Sequence, residues 1–315
     1  MTETPPGSGP GGPALPPPPV HPNRVVFLGT PETAVPALRA LVETGFDVAL
    51  VVTGPDKRRG RRAEPSPTPV KAAALELGLT VSHDLADVTE VGADLGVVVA
   101  FGQILRRELL EQLPMVNIHF SLLPRWRGAA PVERAIMAGD DRTGVCVMAV
   151  EEGLDTGAVY ARADLPIKRT TTAEALAAQL AGIGAALLTR TLRDGLADPE
   201  PQIGEPVYAH KLVAGDLALH WDLPADELDR VVRVGGAWTT RAGQRFKVHR
   251  ARPWPKEAGP APVGSLHGDR VTTGAGTLEL LEVQPEGKGR LAFSAWANGA
   301  RPVDGEILGV EEVDQ

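Results

Sequence analysis

The stretch DLGVVVA, residues 94–100, is apolar almost without interruption. Three successive valines favour a strand, and the lack of alternation marks one buried on both faces, as in a sheet with helices above and below. Working outward, RVVFLG (24–29) and DVALVVT (47–53) have the same texture. Between them, Ala34, Leu38, Leu41 and Val42 recur at helical spacing across Thr33 to about Thr44. A further helix is expected at 69–77, further strands at 115–120 and 143–149, and a long helix over about 172–193. Strands separated by helical crossovers predict an α/β domain, Rossmann-like, with a mostly parallel sheet.

Past a proline-rich run at 196–206 the signals shorten to 244–252, 263–267, 269–273 and 277–283, broken by Gly and Pro. That pattern predicts a smaller OB-like β-barrel with a helix near 225–234. The expected organisation is a disordered Pro/Gly-rich tail at 1–22, a catalytic domain at 23–195, a linker at 196–206 and a C-terminal domain at 207–315. Two domains suit a chain of 315 residues.

A net charge of −8 argues against indiscriminate nucleic-acid binding, although a local basic patch remains compatible with it. Cys146 is the only cysteine, which excludes an intramolecular disulfide and a cysteine-based zinc finger. No metal ligand spacing is present. The start of the chain lacks a signal-peptide pattern and no run reads as a membrane span, so a soluble cytoplasmic protein, with no membrane association, is expected.

VNIHFSLLPRWRGAAP (116–131) carries the chemistry. In a strand, Asn117 and His119 share one face while Val116, Ile118 and Phe120 take the other. The C-terminal end of a parallel strand opens onto the crevice where such sheets bind ligands. An imidazole that donates or accepts a proton near neutrality, beside a carboxamide that can hold an oxyanion, suits acyl transfer. The missing carboxylate is Asp155 in EEGLDTG (151–157), whose other reading is an Asx-turn without a catalytic part. Leu122, Leu123 and Pro124 form an apolar lip for a flat heteroaromatic ligand, and Arg125 and Arg127 are suited to carboxylates or phosphates. The loop GPDKRRGRR (54–62) packs Lys57, Arg58, Arg59, Arg61 and Arg62 into six positions, a phosphate-binding device or a solvated charge run. FLGTPETA places Gly29 after the first strand, to allow a tight turn or to face a ligand, but without the glycine fingerprint of dinucleotide binders.

FLGTPE, VVVAFGQIL, NIHFSLLPRWRGAAP and GLDTG together resemble the folate-dependent formyltransferases, and among them the branch that formylates initiator methionyl-tRNA. The resemblance covers nearly everything after the tail. It implies 10-formyltetrahydrofolate as donor co-substrate, with Asn117, His119 and Asp155 as the catalytic trio and no metal. It further implies that Phe101, Gly102, Gln103 and Ile104, with Ser121, Leu122, Leu123 and Pro124, contact the folate. Lys57, Arg58, Arg59, Arg61 and Arg62 are then the tRNA-binding loop, Arg61 matching an acceptor-stem contact, and the C-terminal barrel is a second tRNA-binding element. A monomer is expected. The core pattern is shared with relatives that formylate amino sugar nucleotides, which stands as the alternative. The chain departs from the family at GGAWTT (235–240), where an asparagine–proline–tryptophan–proline turn is usual.

Overall fold

Strand β1 (Arg24–Gly29) pairs in parallel with β2 (Asp47–Val52) on one side and with the central strand Leu95–Val99 on the other. The computed structural model describes residues 15–58, 64–255 and 260–309. With β3 (Val81–Ser82), β4 (Leu95–Val99), β5 (Met115–His119), β6 (Arg142–Ala149) and β7 (Val159–Pro166), the sheet order is β7-β6-β5-β4-β1-β2-β3. The β4–β5 pair is parallel and β5–β6 antiparallel, so the sheet is mixed and mostly parallel. Every residue of β4 is buried, as its unbroken apolar run requires. The short edge strand β3 and the last strand β7 were not anticipated, because neither carries a long apolar run.

The register defines the sheet's two faces. Val26 and Leu28 lie beside Gly96 and Val98, which lie beside Met115 and Asn117. Across β6, Asn117 and His119 oppose Met148 and Cys146. On the other face the helix Ala173–Asp194 packs at Gly184, where a Cβ would sit 2.9 Å from Ile118 Cγ2 and 3.2 Å from Val145 Cγ1. By length and composition this helix is apolar enough to cross a membrane, which the reading of contiguous runs missed. Its Leu180, Leu187, Leu188 and Leu192 are buried, the placement of a core helix.

Gly29 is explained by close packing: a Cβ there would lie 2.8 Å from Phe27 Cε1 and 3.0 Å from the Val99 carbonyl. Residues 15–22, expected in the tail, are partly engaged. Leu15 packs against the cluster around Val26 and Leu28, and the Leu196 N–H donates to the Val20 carbonyl at 2.7 Å. The linker is likewise held, since Val159 and Glu200 exchange backbone hydrogen bonds of 2.8 and 2.9 Å.

The chain divides into two compact units, and the second comprises 128–143, 164–179 and 207–315. Its strands β8 (Trp238–Arg241), β9 (Gln244–Trp254), β10 (Ser265–His267), β11 (Arg270–Thr272), β12 (Thr277–Pro285) and β13 (Glu306–Ile307) run in the order β8-β9-β12-β11-β10-β13. Thr240 and Gly309 then exchange backbone hydrogen bonds of 3.1 and 3.2 Å, returning the last segment to the first strand and nearly closing the barrel. Its core holds Phe246, Phe293 and Trp296, the rings 4.8–5.0 Å apart around Trp296. The helix Ala225–Val234 buries Leu228, Val231 and Val232, each worth roughly 1.5–3 kcal/mol relative to exposure. In GGAWTT, Gly235 and Gly236 take φ of 97° and 79°, which lets the chain leave that helix and enter β8 directly. Trp238 donates its indole N–H to the Ala214 carbonyl at 2.9 Å under the Arg245 guanidinium.

Gly184→Val should destabilise the protein by about 1–3 kcal/mol in urea unfolding, because no side chain fits between that helix and the sheet. A second expectation concerns Asp216, whose carboxyl lies below its ordinary range. The Val213 N–H lowers it most, and the Arg134 guanidinium adds to this against an opposing effect of burial. A lowered folded-state value means stabilisation that is present above the unfolded value and lost as pH falls through the folded one. Asp216→Asn should therefore cost about 1 kcal/mol at neutral pH, and less in melts run below about pH 4.

Candidate active site

The face of the sheet that carries Val26, Leu28, Leu50, Val52, Val98 and Met115 is apolar until the last residues of β5. There it presents Asn117, half-buried, and His119, buried. A buried imidazole must find hydrogen-bond partners or lose stability. His119 Nε2 lies 2.8 Å from the Trp126 carbonyl, and a carbonyl only accepts, so Nε2 carries the proton. Nδ1 then faces Asp155, with Oδ2 at 3.5 Å. That separation exceeds the usual 2.7–2.9 Å or so of a charge-assisted N–H···O bond, so the two groups face each other without a short hydrogen bond between them.

Two loops place these partners. The 121–128 loop begins with Ser121, fully buried, whose hydroxyl donates to the Arg125 carbonyl at 2.6 Å. This closes a turn in which Trp126 takes a left-handed φ of 65°. The 151–157 loop is tied down at both ends. Arg107 holds Glu152 at 2.7 Å, and at Gly157 a Cβ would fall 2.0 Å from the Ala149 carbonyl. Asp155 itself has φ of 51°. Non-glycine residues in that region cost on the order of 1–3 kcal/mol and persist where their surroundings over-determine them.

The sequence-predicted trio is thus partly assembled in the described contacts: His119 meets Asp155, and Asn117 shares the same face one alternation away. The expected folate contacts divide. Phe101 is buried in the core cluster and Leu123 packs with Cys146, Met148 and Val159. Ser121 turns inward, so these three side chains are packed into the scaffold. Gly102, Gln103 and Ile104 are exposed, Ile104 at 87%, while Leu122 and Pro124 are half-buried. An open, amide-rich loop with an exposed aliphatic chain fits a flat, polar-edged heterocycle.

Two arginines differ from expectation. Arg127 is not left for an anionic ligand, because its Nε and Nη2 donate to the Gln202 carboxamide oxygen at 3.0 and 2.7 Å. Arg125 stacks over the Trp126 ring at 4.4 Å. Lys57 and Arg58 are exposed in a two-residue strand paired with Pro65–Ser66, whereas Arg59, Arg61 and Arg62 lie outside the described residues. Trp126 and Gln202 were missed. The first acts through a main-chain carbonyl, and the second sits in a run whose prolines read as linker. Burial raises the thiol of Cys146, opposite His119, above its ordinary value, as befits a packing residue. Among the described residues no cluster of three or more His, Cys, Asp or Glu is placed to hold a metal ion.

Comparison with known proteins gives the same picture from outside. Residues 23–192 match the formyl transferase family and residues 211–301 the formyl transferase C-terminal domain. The chain is 44% identical over 300 residues to a methionyl-tRNA formyltransferase of Symbiobacterium thermophilum, covering 88% of this chain and 92% of that protein. It is 42% identical to one from Streptomyces coelicolor, covering 91% and 99%. In fold it is similar to an N-formyltransferase from Helicobacter canadensis solved with folinic acid and dTDP-3-aminofucose (TM-score 0.63, 14% identity, 82% and 98% covered). A methionyl-tRNA formyltransferase from Clostridium thermocellum is also similar (TM-score 0.55, 16% identity, 74% and 95% covered). With both family segments matched in order and identity above 40% across nearly the whole length, the chain belongs to the methionyl-tRNA formyltransferase family.

Proposed function

We propose that the chain transfers the formyl group of 10-formyltetrahydrofolate to the amino group of methionine on initiator tRNA, with Asn117, His119 and Asp155 as its catalytic residues. The observation that carries this assignment is the imidazole of His119 lying between the Trp126 carbonyl and the Asp155 carboxylate at the carboxyl end of a sheet strand.

The nucleophile is an α-amino group, whose ordinary pKa of around 7.7–8.0 makes the free amine accessible near neutrality. Its attack on the formyl carbon builds charge on the formyl oxygen and leaves a proton to be removed. The Asn117 carboxamide donates to that oxygen. With Nε2–H committed to Trp126, Nδ1 is the ring nitrogen that serves the reacting group, as a second donor when the ring is doubly protonated. Asp155 orients the ring and accepts the amine proton, and the tetrahedral intermediate collapses by breaking the bond from the formyl carbon to the folate nitrogen, which leaves as the neutral amine after taking up that proton. Positioning supplies much of the acceleration.

The exposed residues 102–104 and the half-buried Leu122 and Pro124 support the folate reading. For tRNA, the support is the Lys57–Arg62 loop, an electrostatic footprint on an otherwise acidic chain, together with a barrel whose β9 carries Arg245, Lys247, Arg250 and Arg252. The chain acts in translation initiation, in the cytoplasm, as a monomer.

His119→Ala and Asp155→Asn should each lower turnover while folate binding by calorimetry stays nearly constant, and Asn117→Ala should cost on the order of 10²–10³ in kcat. Equal losses in binding and turnover would mean that these residues hold the ligand and do not run the chemistry. Arg61→Ala should raise the KM for charged tRNA and leave that for the formyl donor alone. The overall assignment is tested by supplying the formyl donor with charged initiator tRNA, charged elongator tRNA or an amino sugar nucleotide. N-formylated methionine on initiator tRNA is the expected product, and a formylated sugar would overturn it.

A further inference from the structure

The imidazole of His119 has two partners from separate loops, and one side chain is bonded to both of those loops. Gln202 donates from Nε2 to the Asp155 carbonyl and to the Gly157 carbonyl, each at 2.8 Å. Its Oε1 accepts from Arg127 Nε at 3.0 Å and Nη2 at 2.7 Å. Arg127 follows Trp126, whose carbonyl receives the His119 Nε2–H. Both donor hydrogens and both acceptor lone pairs of the carboxamide are thereby used. Its orientation is fixed by chemistry, since reversing the amide would set N–H against guanidinium and oxygen against two carbonyls.

We infer that Gln202 is a positioning residue for formyl transfer: it locks the left-handed backbones of Trp126 and Asp155 at one mutual spacing and so sets where His119 and the Asp155 carboxylate point. Trp126 and Asp155 are non-glycine residues at φ of 65° and 51°, conformations that need outside support. Gln202 bonds Asp155 directly and Trp126 through the next residue. The segment 196–206 is therefore a structural wall of the site as well as a connection between domains. Gln202 touches neither His119 nor, in this proposal, any substrate, and it acts through the two loops. The inference rests on the assignment of His119 and Asp155 to the chemistry.

Gln202→Met removes the four hydrogen bonds at nearly constant volume. It should lower kcat by about tenfold to a hundredfold, with KM for formyl donor and charged tRNA within about twofold of the parent. The thermal midpoint should stay within a few degrees. Because Gln202 acts on the geometry that Asp155 shares with His119, the double variant Gln202→Met/Asp155→Asn should lose far less than the product of the two single losses. Multiplying losses in the double variant, or a fall in kcat that only tracks lost folded protein, would overturn the inference. Full activity of Gln202→Met beside a crippled Asp155→Asn would overturn it while leaving the catalytic assignment intact. Full activity of Asp155→Asn would overturn both. If Gln202→Met does not fold, Gln202→Glu keeps an acceptor for Arg127 and replaces the two donors by an oxygen that faces the Asp155 and Gly157 carbonyls. The same kcat-against-KM comparison then decides.

Discussion

Burying one imidazole at the end of an apolar sheet face is the constraint around which the candidate site is arranged. His119 cannot stay in that position without hydrogen-bond partners, and the residue directly opposite it on β6 is Cys146, a packing residue. Both partners come from loops. Once the Trp126 carbonyl takes Nε2–H, the other nitrogen is available, and Asp155 is held near it but not against it.

Specific local devices follow from that constraint. Ser121 is spent on closing its own turn, and Gly157 exists because nothing larger fits beside the Ala149 carbonyl. Arg107 anchors the acidic loop through Glu152. None of these groups takes part in the chemistry as proposed, yet each limits how far the carboxylate can drift from the ring. Polar networks of this type hold a unique geometry when every member is satisfied and lose it when one is not.

The parallel sheet was legible because burial on both faces leaves an unbroken run in β4, and the barrel because short strands alternate with Gly and Pro. Asn117, His119 and Asp155 were legible through strand alternation and a glycine-flanked loop. What escaped lies in long-range contacts. The edge strand β3 has two residues and no pattern of its own. That the side chains of Phe101, Ser121 and Leu123 turn inward was not legible, because composition does not say which way a loop side chain points. Arg127 read as an anion hook because a guanidinium does not announce that a carboxamide 75 residues away occupies it. The helix Ala173–Asp194 was anticipated over about 172–193, but its overall apolar character was not, since Gln179, Thr189 and Arg190 interrupt the run.

The hydrogen bonds between Thr240 and Gly309 have a consequence for how the second unit meets other molecules. An open sheet offers a fringe of unsatisfied amides on which a foreign strand can be templated, and joining last segment to first takes much of that fringe away. What this unit leaves at its surface is therefore side chains more than open backbone, among them the tryptophan–arginine stacks of Trp238 with Arg245 and Trp254 with Arg270.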